Sequence, residues 1–205
     1  MDENVKLAMA KWPNVPHCYG WLALDARGCW RMRDERAQAL DLPGDKIVHT
    51  ALLGFINRNY THDDQGRWYF QNGPQRVYVN LEATPYIART DPAQGFILHT
   101  GEPLFLIDAA WMTETGQLVL QADEKIAMVD DRDMLHYMSD LRMNGTTVSD
   151  DQLMAWLHQP ETTDRLSLKQ AGRQVPVRHI GAGAMPAQFG FVPAPRPDSA
   201  SRSTM

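Results

Sequence analysis

Apolar and polar residues alternate most regularly around three glycines. In Trp21-Leu22-Ala23-Leu24-Asp25-Ala26-Arg27-Gly28-Cys29-Trp30, an apolar run leads into an acidic turn residue, then a glycine, then a large apolar residue two positions later. The same grammar recurs in Tyr60-Thr61-His62-Asp63-Asp64-Gln65-Gly66-Arg67-Trp68-Tyr69-Phe70 and in Ala109-Ala110-Trp111-Met112-Thr113-Glu114-Thr115-Gly116-Gln117-Leu118. Each segment predicts a β-hairpin. An Asp or Glu side chain starts such a turn by bonding its own backbone, and glycine accepts the left-handed conformation that short loops need. The glycines are unequally spaced, so the repeats do not form a solenoid.

Period-two alternation after the second turn assigns Trp68, Phe70, Val77 and Val79 to a core face, and Arg67, Tyr69, Arg76 and Tyr78 to the opposite face, which Glu82 extends. An Asn72-Gly73 turn predicts Tyr69 opposite Arg76 and Trp68 opposite Val77; Pro74, which lacks an N–H, argues against a perfectly closed two-residue turn. Asp45 can cap a helix through Asn57 with Ile47, Val48, Ala51, Leu52 and Phe55 on one face. Runs at 76–81, 96–100 and 104–107, punctuated by Pro85, Pro92, Gly101 and Pro103, suit an antiparallel meander. A second helix is expected from Asp130 or Asp131 with Met134, Leu135, Met138 and Leu141 inward. A third follows the capping-box pattern Ser149-Asp150-Asp151-Gln152, carrying Leu153, Trp156 and Leu157.

From about Pro160 the chain holds six of its 13 prolines and little periodicity. The expectation is therefore an α+β domain over 1–159, with three repeated hairpin units, a meander and about three helices. A Pro-rich tail over 160–205 would be partly docked through Val175-Pro176-Val177 and Phe189-Gly190-Phe191-Val192, and disordered from Ser199 to Met205.

Composition adds limits. With 205 residues, 43% hydrophobic and 22% charged, the chain can bury a substantial core, and one domain is the prior. A formal charge of −5 and a pI near 5.8 argue against general phosphate-backbone binding, so no nucleic acid is expected. The acidic opening Met1-Asp2-Glu3 has no apolar signal core and no segment reaches membrane-span length, so the expectation is a cytoplasmic protein without a membrane partner. Cys18 and Cys29 are then expected as reduced thiols, neither a redox pair nor a zinc site.

Motifs that would name a reaction are missing. No serine sits in a G-x-S-x-G elbow, and there is no Walker loop or H-E-x-x-H helix. Gly181-Ala182-Gly183-Ala184-Met185-Pro186 begins like a dinucleotide loop but lacks the third glycine, and Pro186 stands where a helix should start, so no cofactor is expected. His62, Asp63, Asp64 and His99, with Asp130, Asp131 and Asp133 as further donors, could ligate a divalent metal. The plainer reading makes Asp63 and Asp64 turn formers, the acidic run at 130–133 a helix start, and His136 a helix-surface partner. His49 reads as a hydrogen-bonded boundary residue rather than a base.

The run Gly66-Arg67-Trp68-Tyr69-Phe70-Gln71-Asn72-Gly73-Pro74-Gln75-Arg76-Val77-Tyr78-Val79, with Leu81-Glu82 and Thr84-Pro85, resembles an uncharacterised proteobacterial domain-of-unknown-function family. Gly28-Cys29-Trp30 and Val129-Asp130-Asp131-Arg132-Asp133 extend the likeness over roughly residues 18 to 145. More distantly, the layout is similar to another domain-of-unknown-function family built from repeated hairpin-containing α/β units, for which a signalling role has been suggested. The resemblance implies a repeated-hairpin fold in a bacterial cytoplasm and carries over no catalytic residue.

Three functions remain open. The leading one is a non-catalytic binding or regulatory module, with Arg67, Tyr69, Arg76, Tyr78 and Glu82 meeting a small anionic or aromatic ligand, or a protein partner. The alternatives are a metal-dependent hydrolase using His62, Asp63, Asp64 and His99, whose side chains must then converge, and a structural or assembly protein.

Overall fold

The computed structural model of the protein describes residues 1–159 and 162–198, so the expectation of disorder from Ser199 onward falls outside the described residues. The chain divides into two compact units, Met1–Ala83 joined by the chain from Gly190 onward, and Thr84–Phe189. Both combine helices with a mixed sheet, which gives the α+β class.

The first unit runs α1 (Glu3–Lys11), β1 (Cys18–Leu24), β2 (Trp30–Met32), α2 (Glu35–Ala39), β3 (Asp45–Lys46), α3 (Thr50–Arg58), β4 (Tyr60–His62), β5 (Trp68–Asn72) and β6 (Gln75–Leu81). Its sheet order is β3-β2-β1-β6-β5-β4. Two antiparallel meanders are joined through one parallel pair, β1 with β6.

The second unit continues with β7 (Tyr86–Asp91), β8 (Gly95–Leu98), β9 (Pro103–Leu104), β10 (Ala109–Thr113), β11 (Leu118–Ala122), β12 (Lys125–Val129), α4 (Met134–Met138), β13 (Leu141–Met143), β14 (Thr146–Thr147), α5 (Asp150–Leu157), β15 (Leu166–Gln170), β16 (Arg173–Ile180) and α6 (Met185–Phe189). Its first six strands lie in the order β9-β8-β7-β12-β11-β10, with β7 parallel to β12. This is the plan of the first unit over again. The sheet is then extended by β16, parallel to β10, and by β15, β13 and β14.

One turn chemistry recurs. The N–H groups of Gly28, Gly66 and Gly116 donate to the carbonyls of Asp25, Asp63 and Thr113, and the N–H groups of those three residues donate to the carbonyls of Cys29, Arg67 and Gln117. The side-chain oxygen of each opening residue accepts the N–H four positions on, at 2.8, 3.0 and 3.0 Å. The three glycines have φ of 75°, 72° and 81°, as the hairpin reading requires. In the third turn Thr113, not Glu114, opens the loop, while Glu114 accepts the N–H of Ala182 at 2.9 Å. The duplicated plan also contains a turn that the spacing did not reveal. Asp91 accepts the N–H groups of Ala93 and Gln94 between β7 and β8, and Gly95 has a φ of 76°.

In the first unit's core, Trp30 meets Tyr60 edge-on at 5.0 Å, Tyr60 meets Trp68 at 4.8 Å, and Phe55 of α3 packs on Phe70 at 5.4 Å. The Trp30 indole N–H reaches Asn57 at 2.8 Å, satisfying its one polar atom. In the second unit Met112, Leu118, Leu120, Leu141, Leu153, Trp156, Leu166, Leu168, Val175 and Val177 belong to one buried cluster.

Several local expectations shift. Asp45 and Lys46 pair with Met32 and Arg31 as β3, so α3 starts later, with His49 as its cap; Val48 and Ala51 are exposed and Ile56 is the buried residue. Residues 131–133 form a 3₁₀ turn and α4 buries Tyr137, while Leu135 is exposed and Leu141 starts β13. Ser149 and Gln152 form the expected capping box and α5 buries Leu153 and Trp156. The hairpin of β5 and β6 turns through Gly73 and Pro74, pairing Asn72 with Gln75, so Tyr69 faces Tyr78 rather than Arg76. Proline has no N–H for the ladder and moves into the loop, and a slip that preserves parity keeps each face intact. Where a Pro-rich tail was expected, residues 166–170 and 173–180 are strands, and Pro176 sits inside β16.

The carboxylate of Asp130 is fully buried, held by the Arg132 side chain and backbone N–H. Burial works against its charge, but those bonds prevail and lower its pKa from 3.8 to about 2. A depressed folded value means the contribution is present above 3.8 and is lost as pH falls towards about 2. Denaturation followed between pH 5 and pH 2 should show a loss of stability that Asp130→Asn reduces.

A Cβ on Gly66 would lie 1.9 Å from the Gly190 carbonyl oxygen, whereas one on Gly116 would meet only Leu157 Cδ1 at 3.6 Å. Gly116→Ala should cost about 1 kcal/mol from its left-handed backbone alone, and Gly66→Ala clearly more, by chemical denaturation. Ending the chain at residue 159 removes Leu166, Leu168, Val175 and Val177 from the second core. Its calorimetric transition should lose the cooperative component of the Thr84–Phe189 unit.

Candidate functional site

The second hairpin of the first unit concentrates its charge on one side of the sheet. Asp63 Oδ1 is committed to the turn, accepting the N–H groups of Gln65 and Arg67 at 3.1 and 3.0 Å. Its other oxygen is turned to side chains, accepting Arg67 Nε at 2.8 Å and the Tyr78 hydroxyl at 3.0 Å. Burial raises the Asp63 pKa, and the hydrogen bonds from Arg67 and Tyr78 outweigh it, leaving the carboxyl below its ordinary range. Arg67 Nη1 also meets Asp198 at 2.9 Å. The C-terminal segment is held there by its backbone, with Val192 donating to Gly66 at 2.9 Å and Leu81 donating to Pro193 at 2.7 Å.

Around this carboxylate lies an aromatic sheet surface. Tyr78 is buried, stacked on Tyr19 of β1 at 4.6 Å and 10°, and set edge-on to Tyr69 at 5.6 Å. His17, just before β1, stands edge-on to Tyr78 at 5.9 Å. The Arg76 guanidinium lies 4.6 Å over the Tyr69 ring and shares a hydrogen bond with Tyr78. It makes no carboxylate ion pair among the described residues. Burial lowers the His17 pKa, and the charges of Arg76 and Arg67 lower it further, so this imidazole favours its neutral form. Burial also raises the pKa of Tyr19 and Tyr69, keeping both phenols protonated.

The structure thus brings Arg67, Tyr69, Arg76 and Tyr78 together, and it adds Asp63, Tyr19, His17 and Asp198. Glu82 instead accepts the Ala26 N–H at 3.1 Å, at the first hairpin turn. Tyr19 was hidden because its place depends on the parallel pairing of Cys18 with Val77, which no local pattern encodes. Asp198 was hidden by its distance along the chain.

The metal set does not assemble. His62 lies against the Asp63 carbonyl at 3.0 Å, and Asp63 is committed to Arg67 and Tyr78. His99 belongs to the second unit, where its Nδ1 accepts the N–H of Ile87 at 3.2 Å. No group of three or more His, Cys, Asp or Glu among the described residues could hold a metal ion. Asp130 and Asp133 serve their own segment, Asp130 on Arg132 and Asp133 on the Thr90 N–H at 2.6 Å. The glycine-rich stretch is a 3₁₀ turn over Ala182–Ala184 leading into α6. Cys18 and Cys29 are unpaired thiols. No helix among the described residues is long and apolar enough to cross a membrane.

Among solved structures, the chain is similar to a DUF1285 family protein from Silicibacter pomeroyi DSS-3, with 12% identity and a TM-score of 0.49, over 80% of this chain and 84% of the other. Among curated proteins, none matches. A family model, DUF2944, described as "Protein of unknown function (DUF2946)", matches residues 1–196. A match that takes in both sheets and the C-terminal return to the first unit covers nearly the whole chain, and the protein belongs to this family of unknown function.

Proposed function

We propose that the protein is a non-catalytic binding module, regulatory in role and acting in the bacterial cytoplasm. Its recognition face is the one carrying Arg67, Tyr69, Arg76 and Tyr78, and its ligand is a small anion with an apolar or aromatic body. The observation that carries this reading is Arg76. Its guanidinium is half-buried on an aromatic ring and has no carboxylate ion pair among the described residues, whereas Arg67 beside it is paired with Asp63 and Asp198. A guanidinium in that setting has donors left for an oxyanion, and its planar fork matches a carboxylate. Half-buried Tyr19 supplies surface for a ring, and buried Tyr69 and Tyr78 back it from beneath. Both oxygens of Asp63 are committed, to the turn backbone and to Arg67 and Tyr78, so this carboxylate serves to hold the face together.

Benzoate and inorganic phosphate serve as probes in calorimetric titration of the full chain. Benzoate should bind more tightly than phosphate, and Arg76→Ala should weaken it by about tenfold, the equivalent of one charge-assisted contact. Tyr78→Phe should retain the fold, since only the hydroxyl is lost, and should weaken binding less. Equal benzoate affinity in the wild type and Arg76→Ala would remove this face from the proposal.

A further inference from the structure

A separate opening lies in the second unit, where β15 and β16 part. They pair antiparallel from Gln170 with Arg173 up to Ser167 with Pro176. Continued by the same register, the ladder would set Leu166 opposite Val177, Arg165 opposite Arg178, and Asp164 opposite His179. It does not continue. From Val177 to Ile180, β16 pairs instead with β10, and the chain entering β15 is held on its other side by Asn144. The Asn144 N–H donates to the Arg165 carbonyl at 2.9 Å, Asn144 Oδ1 accepts the Arg165 N–H at 2.9 Å, and Asn144 Nδ2 donates to Asp164 Oδ1 at 2.9 Å.

Two features of the sequence explain the separation. Pro176 has no N–H with which to carry the ladder onward, and two arginines directly opposite each other repel. Between the parted strands lies a cleft of about 960 Å³, lined by Trp156, Asp164, Arg165, Ser167, Arg178 and His179 among others. That volume suits a small organic molecule.

The polar groups of the lining are unevenly satisfied. Trp156 donates its indole N–H to the Asp164 carbonyl at 3.2 Å, and Asp164 Oδ1 is taken by Asn144. His179 stacks on Trp156, with ring centres 3.5 Å apart and planes 19° from parallel. Its Nε2 atom is buried without a hydrogen-bond partner. Arg165 and Arg178 are exposed, and neither has an ion-pair partner among the described residues. Among the described residues, the cleft therefore presents two guanidinium groups against one carboxylate, Asp164, of which Oδ1 is engaged by Asn144.

We propose that the cleft where β15 leaves β16 is a binding site for a small organic polyanion, a phosphate ester or polycarboxylate, bridged by Arg165 and Arg178. An oxyanion placed there meets two guanidinium groups that have no ion-pair partner among the described residues, and guanidinium forks are suited to several oxygens at once. Trp156 lines the cleft, which makes its indole N–H a reporter of occupancy. This site is independent of the sheet face in the first unit.

The test is titration of the full chain with pyrophosphate and, in parallel, citrate, at low and at physiological salt. The readouts are calorimetry and the indole N–H resonance assigned to Trp156 by its loss in Trp156→Phe. At least one probe should bind and move that resonance, and the better of the two names the anion class. Arg165→Gln and Arg178→Gln should each weaken binding about tenfold, as expected for loss of a charge-assisted contact, with an unchanged melting midpoint because both side chains are exposed. Arg76→Ala should leave it unaltered. Failure of both probes to bind, undiminished affinity in the Arg165→Gln/Arg178→Gln double variant, or loss of pyrophosphate and citrate binding in Arg76→Ala would each overturn the proposal.

Discussion

Much of the fold hangs on a side-chain oxygen that accepts the N–H four residues further along, with a glycine in between that tolerates a positive φ. Asp25, Asp63 and Thr113 all do this. Where the opening residue is aspartate, the second carboxylate oxygen is left over and gathers a cation, Arg31 at the first turn and Arg67 at the second. Where it is threonine there is one oxygen, and no arginine is drawn in. At these three turns the opening residue thus separates hairpins that also organise charge on the sheet, at Asp25 and Asp63, from one that merely reverses the chain, at Thr113.

Around Asp63 that organisation has a fixed order. The carboxylate holds Arg67 and the Tyr78 hydroxyl, Tyr78 carries Tyr19 on one side, and Tyr69 supports Arg76. Its members come from β1, β5, β6 and the turn that precedes β5, so the cluster exists only when β1, β5 and β6 are all in register. Arg67 and Arg76 share a surface but differ in kind, since one is neutralised from within the protein and the other rests on a ring.

The local part of this arrangement was legible in the sequence. Turn chemistry, the capping box at Ser149 and the two faces of the second hairpin all follow from interactions within a few residues, and parity survived even when Pro74 moved the register. What the sequence withheld was long-range. The parallel joins of β1 with β6 and β7 with β12 bring together strands far apart along the chain, and Tyr19 enters the aromatic cluster only through the first of them. Two local readings misled, for different reasons. Pro176 lies where β16 exchanges one partner strand for another, so the missing N–H is tolerated inside a strand. Asp45 looked like a helix cap because Ile47, Leu52 and Phe55 fit a helical period, yet Ile47 donates its N–H to the Trp30 carbonyl at 2.9 Å, extending the strand-like contacts that override it.

The return of the C-terminal segment to the first unit bears on how the protein is made. The Leu81 N–H and the Gly66 carbonyl find their partners in Pro193 and Val192, on the far side of the entire Thr84–Phe189 unit. Hairpins close in microseconds, but translation at ~5–20 residues per second delivers the return segment on the order of ten seconds after Leu81. Through that interval a nascent chain carries a first sheet with an open backbone seam, while the second unit can complete its own ladder as soon as β16 emerges. The part of the protein synthesised first is in this sense the last to be finished.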